Sequence, residues 1–112
     1  MESKAKVLNI WGVMPDKDEN EEIFKIADYC DDGDEFRVEA MIAFESEFGI
    51  YYMLYGQTAS RRPVKLTTSA TLSKTITGVI NTTRDFKVPF GIVVRKGTNP
   101  SGQEYTAGKV VL

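Results

Sequence analysis

The residues best equipped for chemistry in this chain are cations and tyrosines, most of them in its second half. Arg61 and Arg62 are adjacent in the stretch Gly56 to Pro63, GQTASRRP. A guanidinium fork donates two parallel hydrogen bonds to a phosphate, so paired arginines on a loop can follow a phosphate backbone. Arg95 and Lys96 lead into the run Gly97-Thr98-Asn99-Pro100-Ser101-Gly102, Tyr105 follows it, and Lys87 and Lys109 flank the segment. Tyr51 and Tyr55 lie upstream in IYYMLY. If Leu54 points inward, these two tyrosines point out of a sheet, where a ring can stack on any base because every base has a π-face. A second reading stays open, in which they fill a small core beneath an acidic segment.

The charge distribution supports an anion-binding surface. Net charge is −2, which by itself argues against a generic nucleic-acid binder. Residues 1–56 carry 14 acids and 5 bases, net −9, whereas residues 57–112 carry 2 acids and 9 bases, net +7. Such asymmetry suggests a basic face built mainly by the second half. The alternative is that the halves neutralise each other across the fold, as charge-complementary strands do.

Catalytic chemistry finds little to work with. The chain has no histidine, the common general base at neutral pH. Its one cysteine, Cys30, lies beside Asp31 and Asp32, whose charge disfavours a thiolate. No phosphate-binding glycine loop or Cys/His metal spacing is present, the acidic run Asp16 to Glu22 lacks the spacing of a calcium loop, and no downstream carboxylate completes a cation site at Asp31 to Asp34. The expectation is a non-enzymatic protein without cofactor or metal.

At 112 residues the chain is long enough for one domain with its own core. A single cysteine excludes an internal disulfide and suits a reducing compartment. The apolar run Val7 to Met14 is too short to span a membrane and lacks a signal-peptide plan. These features predict a cytoplasmic protein that makes no use of a membrane.

The elements that must position the cations and rings follow from periodicity. Lys4 to Val13 reads as a strand stopped by Pro15, with Trp11 either a stacking platform or, the favoured reading, core. An acidic connection runs from Asp16 to Glu22, a short helical turn is expected over Glu21 to Tyr29, and Asp31-Asp32-Gly33-Asp34 makes a turn. Glu35 to Glu47 alternates, with Phe36, Val38, Ala40, Ile42 and Phe44 on one face. Phe48-Gly49 breaks it, and Ile50 to Tyr55 returns as a hairpin partner. Val64 to Leu66 is a third short strand. Leu72, Ile76, Val79 and Ile80 then fall at helical spacing, with Thr68 or Ser69 as N-cap and Asn81 near the end. Phe86, Val88, Phe90, Ile92 and Val94 alternate as a fourth strand, and Gln103 to Leu112 returns as a fifth. The expected core includes Phe36, Val38, Ile42, Leu54, Leu72, Ile76, Val88, Phe90 and Ile92, with Gly33, Gly97 and Gly102 in turns.

Three short strands, a helix and two long strands are the plan of an OB-fold, a five-stranded barrel with its helix between strands 3 and 4. The expected fold is thus mainly β: a single OB-fold-like domain over residues 1–112, in which residues 1–30 form an N-terminal strand and acidic extension. The segment Asp31 to Leu112 resembles the single-stranded DNA-binding proteins of small protein-primed phages. The resemblance rests on the Asp32-Gly33 turn, the Thr/Ser-rich helix opening at Ser69 to Thr75, Phe86-Lys87-Val88, Gly97-Thr98 followed by Ser101-Gly102, and the closing Val111-Leu112. It implies a sequence-tolerant protein that coats and protects single-stranded DNA during phage replication, in the cytoplasm of an infected host cell. The expected DNA-binding residues are Tyr51, Tyr55, Arg61, Arg62, Lys87, Arg95, Lys96, Tyr105 and Lys109. Replication proteins and further copies of the chain are the other partners open to it. The rival expectation is a phage β-barrel interaction or structural module that binds a protein partner through its acidic first half.

Overall fold

The computed structural model describes residues 6–16, 22–59 and 61–112. Lys4 and Ala5 of the expected first strand, and Lys17 to Glu21 of the acidic connection, lie outside them. In chain order the elements are β1 (Lys6–Trp11), β2 (Ile23–Lys25), α1 (Ile26–Tyr29), β3 (Glu35–Ser46), β4 (Gly49–Gln57), β5 (Val64–Thr67), α2 (Ala70–Thr82), β6 (Phe90–Thr98) and β7 (Glu104–Val111). The strands make one curled sheet in the order β2-β5-β4-β3-β6-β7, with β1 also paired to β3. That is seven strands among the described residues, against five expected for the barrel plus one N-terminal strand. The additional strand is β2, which occupies the start of the expected helical turn and runs parallel to β5. Only Ile26 to Tyr29 of that stretch is helical.

The long strand β3 is the spine. It pairs with β4 along most of its length, with β6 through Glu35 to Val38, and with β1 through Met41 to Glu45. Between Val38 and Ala40 its register with β4 shifts. An extra residue of this kind reverses which face later side chains occupy, because the strand period is two. Phe36 and Val38 are buried before the shift, and Met41 and Ala43 are buried after it. Ile42, expected in the core, and Phe44, expected on the face of Phe36 and Val38, are therefore turned onto the other face and only half-buried. Gly56 of β4 sits opposite Val38 at this point, and a Cβ there would collide with the Arg37 carbonyl. Glycine is required here because the two backbones approach too closely for any side chain.

The core otherwise forms as the alternation predicts. Phe36, Val38, Leu54, Leu66, Leu72, Ile76, Ile92 and Val94 are fully enclosed, and Phe90 nearly so. Helix α2 opens on Ser69, whose Oγ accepts a hydrogen bond from Leu72 N at 3.2 Å, an N-cap interaction worth about 1 kcal/mol. The same hydroxyl donates to Thr106 O of β7 at 2.6 Å, which fixes the helix against that strand. Threonines in α2 donate back to carbonyls one turn earlier, so its polar residues are satisfied locally while Leu72 and Ile76 hold it to the core. The helix runs one residue past Asn81.

Two expectations at the last hairpin are corrected. β6 begins at Phe90, so Phe86 and Val88 precede the strand and are half-buried, and the Val88–Pro89 peptide is cis. Trp11 packs edge-on to Phe86 with centroids 5.9 Å apart, which makes it the margin of the core. Gly97 lies within β6, paired with Tyr105, whereas Gly33 and Gly102 have positive φ in turns as expected.

Candidate nucleic-acid interface

The hairpin β6–β7 alternates cleanly. Ile92 and Val94 point inward with their β7 partners Val110 and Gly108. The opposite parity, Val93, Arg95 and Gly97 on β6 with Lys109, Ala107 and Tyr105 on β7, occupies the outer face. Arg95 is directly opposite Ala107, so Tyr105 and Lys109 are its diagonal neighbours, roughly 7–8 Å away by sheet geometry. The structure thus brings together three of the expected residues, Arg95, Tyr105 and Lys109, all exposed. Tyr105 lies across Gly97, where a Cβ would overlap its ring and hydroxyl. Laid over a glycine, the ring is positioned by the strand pair yet stays 44% exposed. Among the described residues neither Arg95 nor Lys109 has an ion-pair partner.

The face is not uniformly basic. Glu35 on β3 flanks Val93 from the side opposite Lys109, and Arg37 and Glu39 pair at 3.0 Å on the same outer parity of β3. The outer face therefore carries a first-half carboxylate, Glu35, across β6 from the second-half cation Lys109, while the Arg37–Glu39 ion pair lies within the first half. Arg95, Gly97 and Tyr105 lie beyond the last β3 pairing, where Val94 and Lys96 on the edge of β6 are bonded to the turn at Asp32 to Asp34.

Lys96 is on the other face. Its Nζ donates to Ala27 O at 2.6 Å, and its backbone N donates to Asp32 Oδ1 at 2.8 Å. Arg61 is engaged in the same way: Nη1 donates to Tyr29 O at 2.6 Å and the guanidinium sits 4.6 Å from the Tyr29 ring centroid. Cys30 N donates to Ile26 O at 3.0 Å, and the two cations supply partners for the Ala27 and Tyr29 carbonyls that so short a helix leaves open. Lys96 and Arg61 are thereby committed to holding α1. The Arg62 side chain is exposed, while its carbonyl accepts from Tyr29 Oη at 3.3 Å. Lys87 is exposed at the far end of β6 from the turn, in a shallow depression with Arg84, Asp85 and Leu112.

Tyr51 and Tyr55 are half-buried on the outer face of β4, apart from the hairpin group. Tyr51 is stacked on Phe44, its partner on β3, with centroids 5.2 Å apart and planes 16° from parallel. Met53, Ile42 and Ile10 continue this face across β4, β3 and β1. Tyr55 lines a recess with Pro15, Glu22, Phe24 and Lys65, so it sits against the ends of the acidic connection. Sequence reasoning missed Phe44 because the bulge inverts its face. The signal was the unbroken run Ala40-Met41-Ile42-Ala43-Phe44, in which alternation is lost. It also passed over Phe48, which at 93% exposed stands almost free at the β3–β4 turn.

Cys30 is enclosed in the core, and burial pushes its thiol up to about 11, with the Asp34 charge adding to the effect. The described residues hold no group of His, Cys, Asp or Glu able to take a metal ion, and none of their helices is long and apolar enough to cross a membrane. Comparison of the chain with protein-family models, curated proteins and solved structures finds no match.

Proposed function

We propose that this protein is a non-enzymatic, sequence-independent single-stranded DNA-binding protein that protects and organises DNA during phage replication. The observation that carries this reading is the outer face of β6–β7, where an open tyrosine ring lies diagonal to Arg95 and Lys109 follows further along the same face, both cations without carboxylate partners among the described residues. A ring of this kind stacks on a base while the cations further along the face meet successive phosphates. The strand order supports an OB-type arrangement. β3, β4 and β5 form a meander, α2 follows, and β6 returns to the far side of β3 before β7 completes the hairpin. In an OB-fold the loop joining the last two strands lines the binding groove, as does the face of strands 2 and 3, here β4 and β5 with Tyr51 and Tyr55.

Arg62 and Lys87 supply further cations where the strand leaves the hairpin face. Lys96 and Arg61 contribute by holding α1 under it. The rival, a β-barrel module that binds a protein through the acidic half, draws on the exposed carboxylates Asp28, Asp31, Asp32 and Glu45. A gel shift with a labelled oligo(dT) at increasing salt separates the two. Three to four engaged cations give a log–log slope of about −2 to −3, at about −0.7 per phosphate neutralised. Absence of binding at low salt leaves only the rival standing.

A further inference from the structure

On the side of the fold away from the hairpin face, a recess of about 560 Å³ opens between the β3–β4 turn and helix α2. Its walls are Ile50 and one row of the helix, Ala70, Lys74, Thr77 and Gly78. The row is small or slender, and no atom lies within 4 Å of where a Gly78 Cβ would stand, so the recess is open. Phe48 stands on its rim. The turn that carries Phe48 is fixed: Ser46 Oγ donates to Gly49 O at 3.1 Å and accepts from Phe48 N at 3.2 Å. An apolar ring is thus held out in solvent next to an apolar hollow that it does not fill.

We infer that this surface joins two copies of the chain about a two-fold axis, the Phe48 ring of each entering the recess of the other. A two-fold interface is self-complementary: the same patch must present both knob and hole. Charge agrees with shape. Glu47 adjoins the knob and Lys74 lines the hole, and among the described residues neither has an oppositely charged partner within its own chain. The two-fold brings Glu47 of each copy to Lys74 of the other. One ring and one ion pair per side is little beside the roughly 800 Å² per partner of a standard stable interface, so the dimer is weak and exchanging. The inference does not depend on DNA binding.

Sedimentation equilibrium of the full chain without nucleic acid, from micromolar to near-millimolar concentration, tests it. The weight-average mass is expected to rise with concentration from the 12.5 kDa of one chain toward twice that value. Phe48→Ala removes the knob and Gly78→Met fills the hole from within, and both variants should stay at the mass of one chain. If Phe48→Ala proves unfolded by circular dichroism, Gly78→Met carries the test, because its side chain enters open space. Glu47→Lys and Lys74→Glu should each weaken association severalfold, and the double exchange should restore it. A parent that stays at one chain mass overturns the inference. So do variants that associate like the parent, or a Phe48→Ala that leaves the mass curve unchanged while lowering oligo(dT) affinity, which would make the ring a base contact.

Discussion

Two outer faces of one sheet present aromatic rings in different company. On β6–β7, Tyr105 has a glycine opposite it, Arg95 on one diagonal and no ring neighbour. On β3–β4, Tyr51 has Phe44 opposite it and aliphatic side chains around it. A ring over glycine is oriented without being covered. A ring over a ring has already made the stack it would otherwise offer to a base. Whether a surface tyrosine is free for a ligand therefore depends on the cross-strand partner, and a bulge that changes the partner changes the use.

The largest expected effect breaks the β3–β4 face at its origin. Gly56→Ala places a methyl against the Arg37 carbonyl where β3 is bulged. It should cost about 3 kcal/mol in urea or thermal unfolding, at the upper end for overpacking. A loss below about 1 kcal/mol would mean that the strands separate readily and that the bulge is soft.

Next is the comparison of rings. Tyr105→Ala should lose about 1–3 kcal/mol of oligo(dT) affinity with an unchanged salt slope, as for one base stack, while Tyr105→Phe stays near the parent. Tyr51→Ala should lose less, because Phe44 remains in place. Equal losses at both positions would erase the distinction drawn between the faces.

Behind the hairpin, Cys30 gives a stability effect with a defined pH window. Its folded pKa is raised to about 11 from an ordinary 9.0, so the stabilising contribution is complete below pH 9 and is lost as pH rises through 11. About 1–2 kcal/mol of unfolding free energy should disappear across that interval, after allowance for partial solvent screening. Cys30→Ala should flatten the decline; burial raises the Tyr52 hydroxyl too, so the parent and variant curves must be subtracted. Parallel curves would show that the thiol is not the source.

The smallest effect sharpens the contrast between neighbours. Arg95→Ala should reduce the salt slope by about 0.7, the loss of one phosphate contact. Lys96→Ala should leave the slope alone and lower the melting temperature instead, because its ammonium is spent on the Ala27 carbonyl. The reverse pattern would exchange the roles assigned to the two residues.

How far these features could be read from sequence depended on what each segment's pattern recorded. Alternation from Phe90 to Val94 and the helical spacing of Leu72 and Ile76 gave correct inward faces, since neither element is interrupted. The Ser69 cap was legible because a hydroxyl before a periodic apolar run has few other uses. The inversion at Ala40 was hidden, because five successive apolar residues fit either phase. The work of Lys96 and Arg61 was hidden for a different reason. Both serve carbonyls of a helix distant in sequence, and charge counting treats every surface cation as available. β2 was missed because three residues cannot establish a period, and its pairing with β5 is set by tertiary contact.

The most direct test of the central claim, that the outer face of β6–β7 grips the strand, is a backbone amide NMR titration of the full chain with oligo(dT). The account predicts that the largest shift changes fall on Arg95, Gly97, Tyr105 and Lys109, with smaller ones on Tyr51 and Tyr55 and none at Phe48. Changes confined to the acidic residues of the first half, or to the recess beside α2, would contradict it.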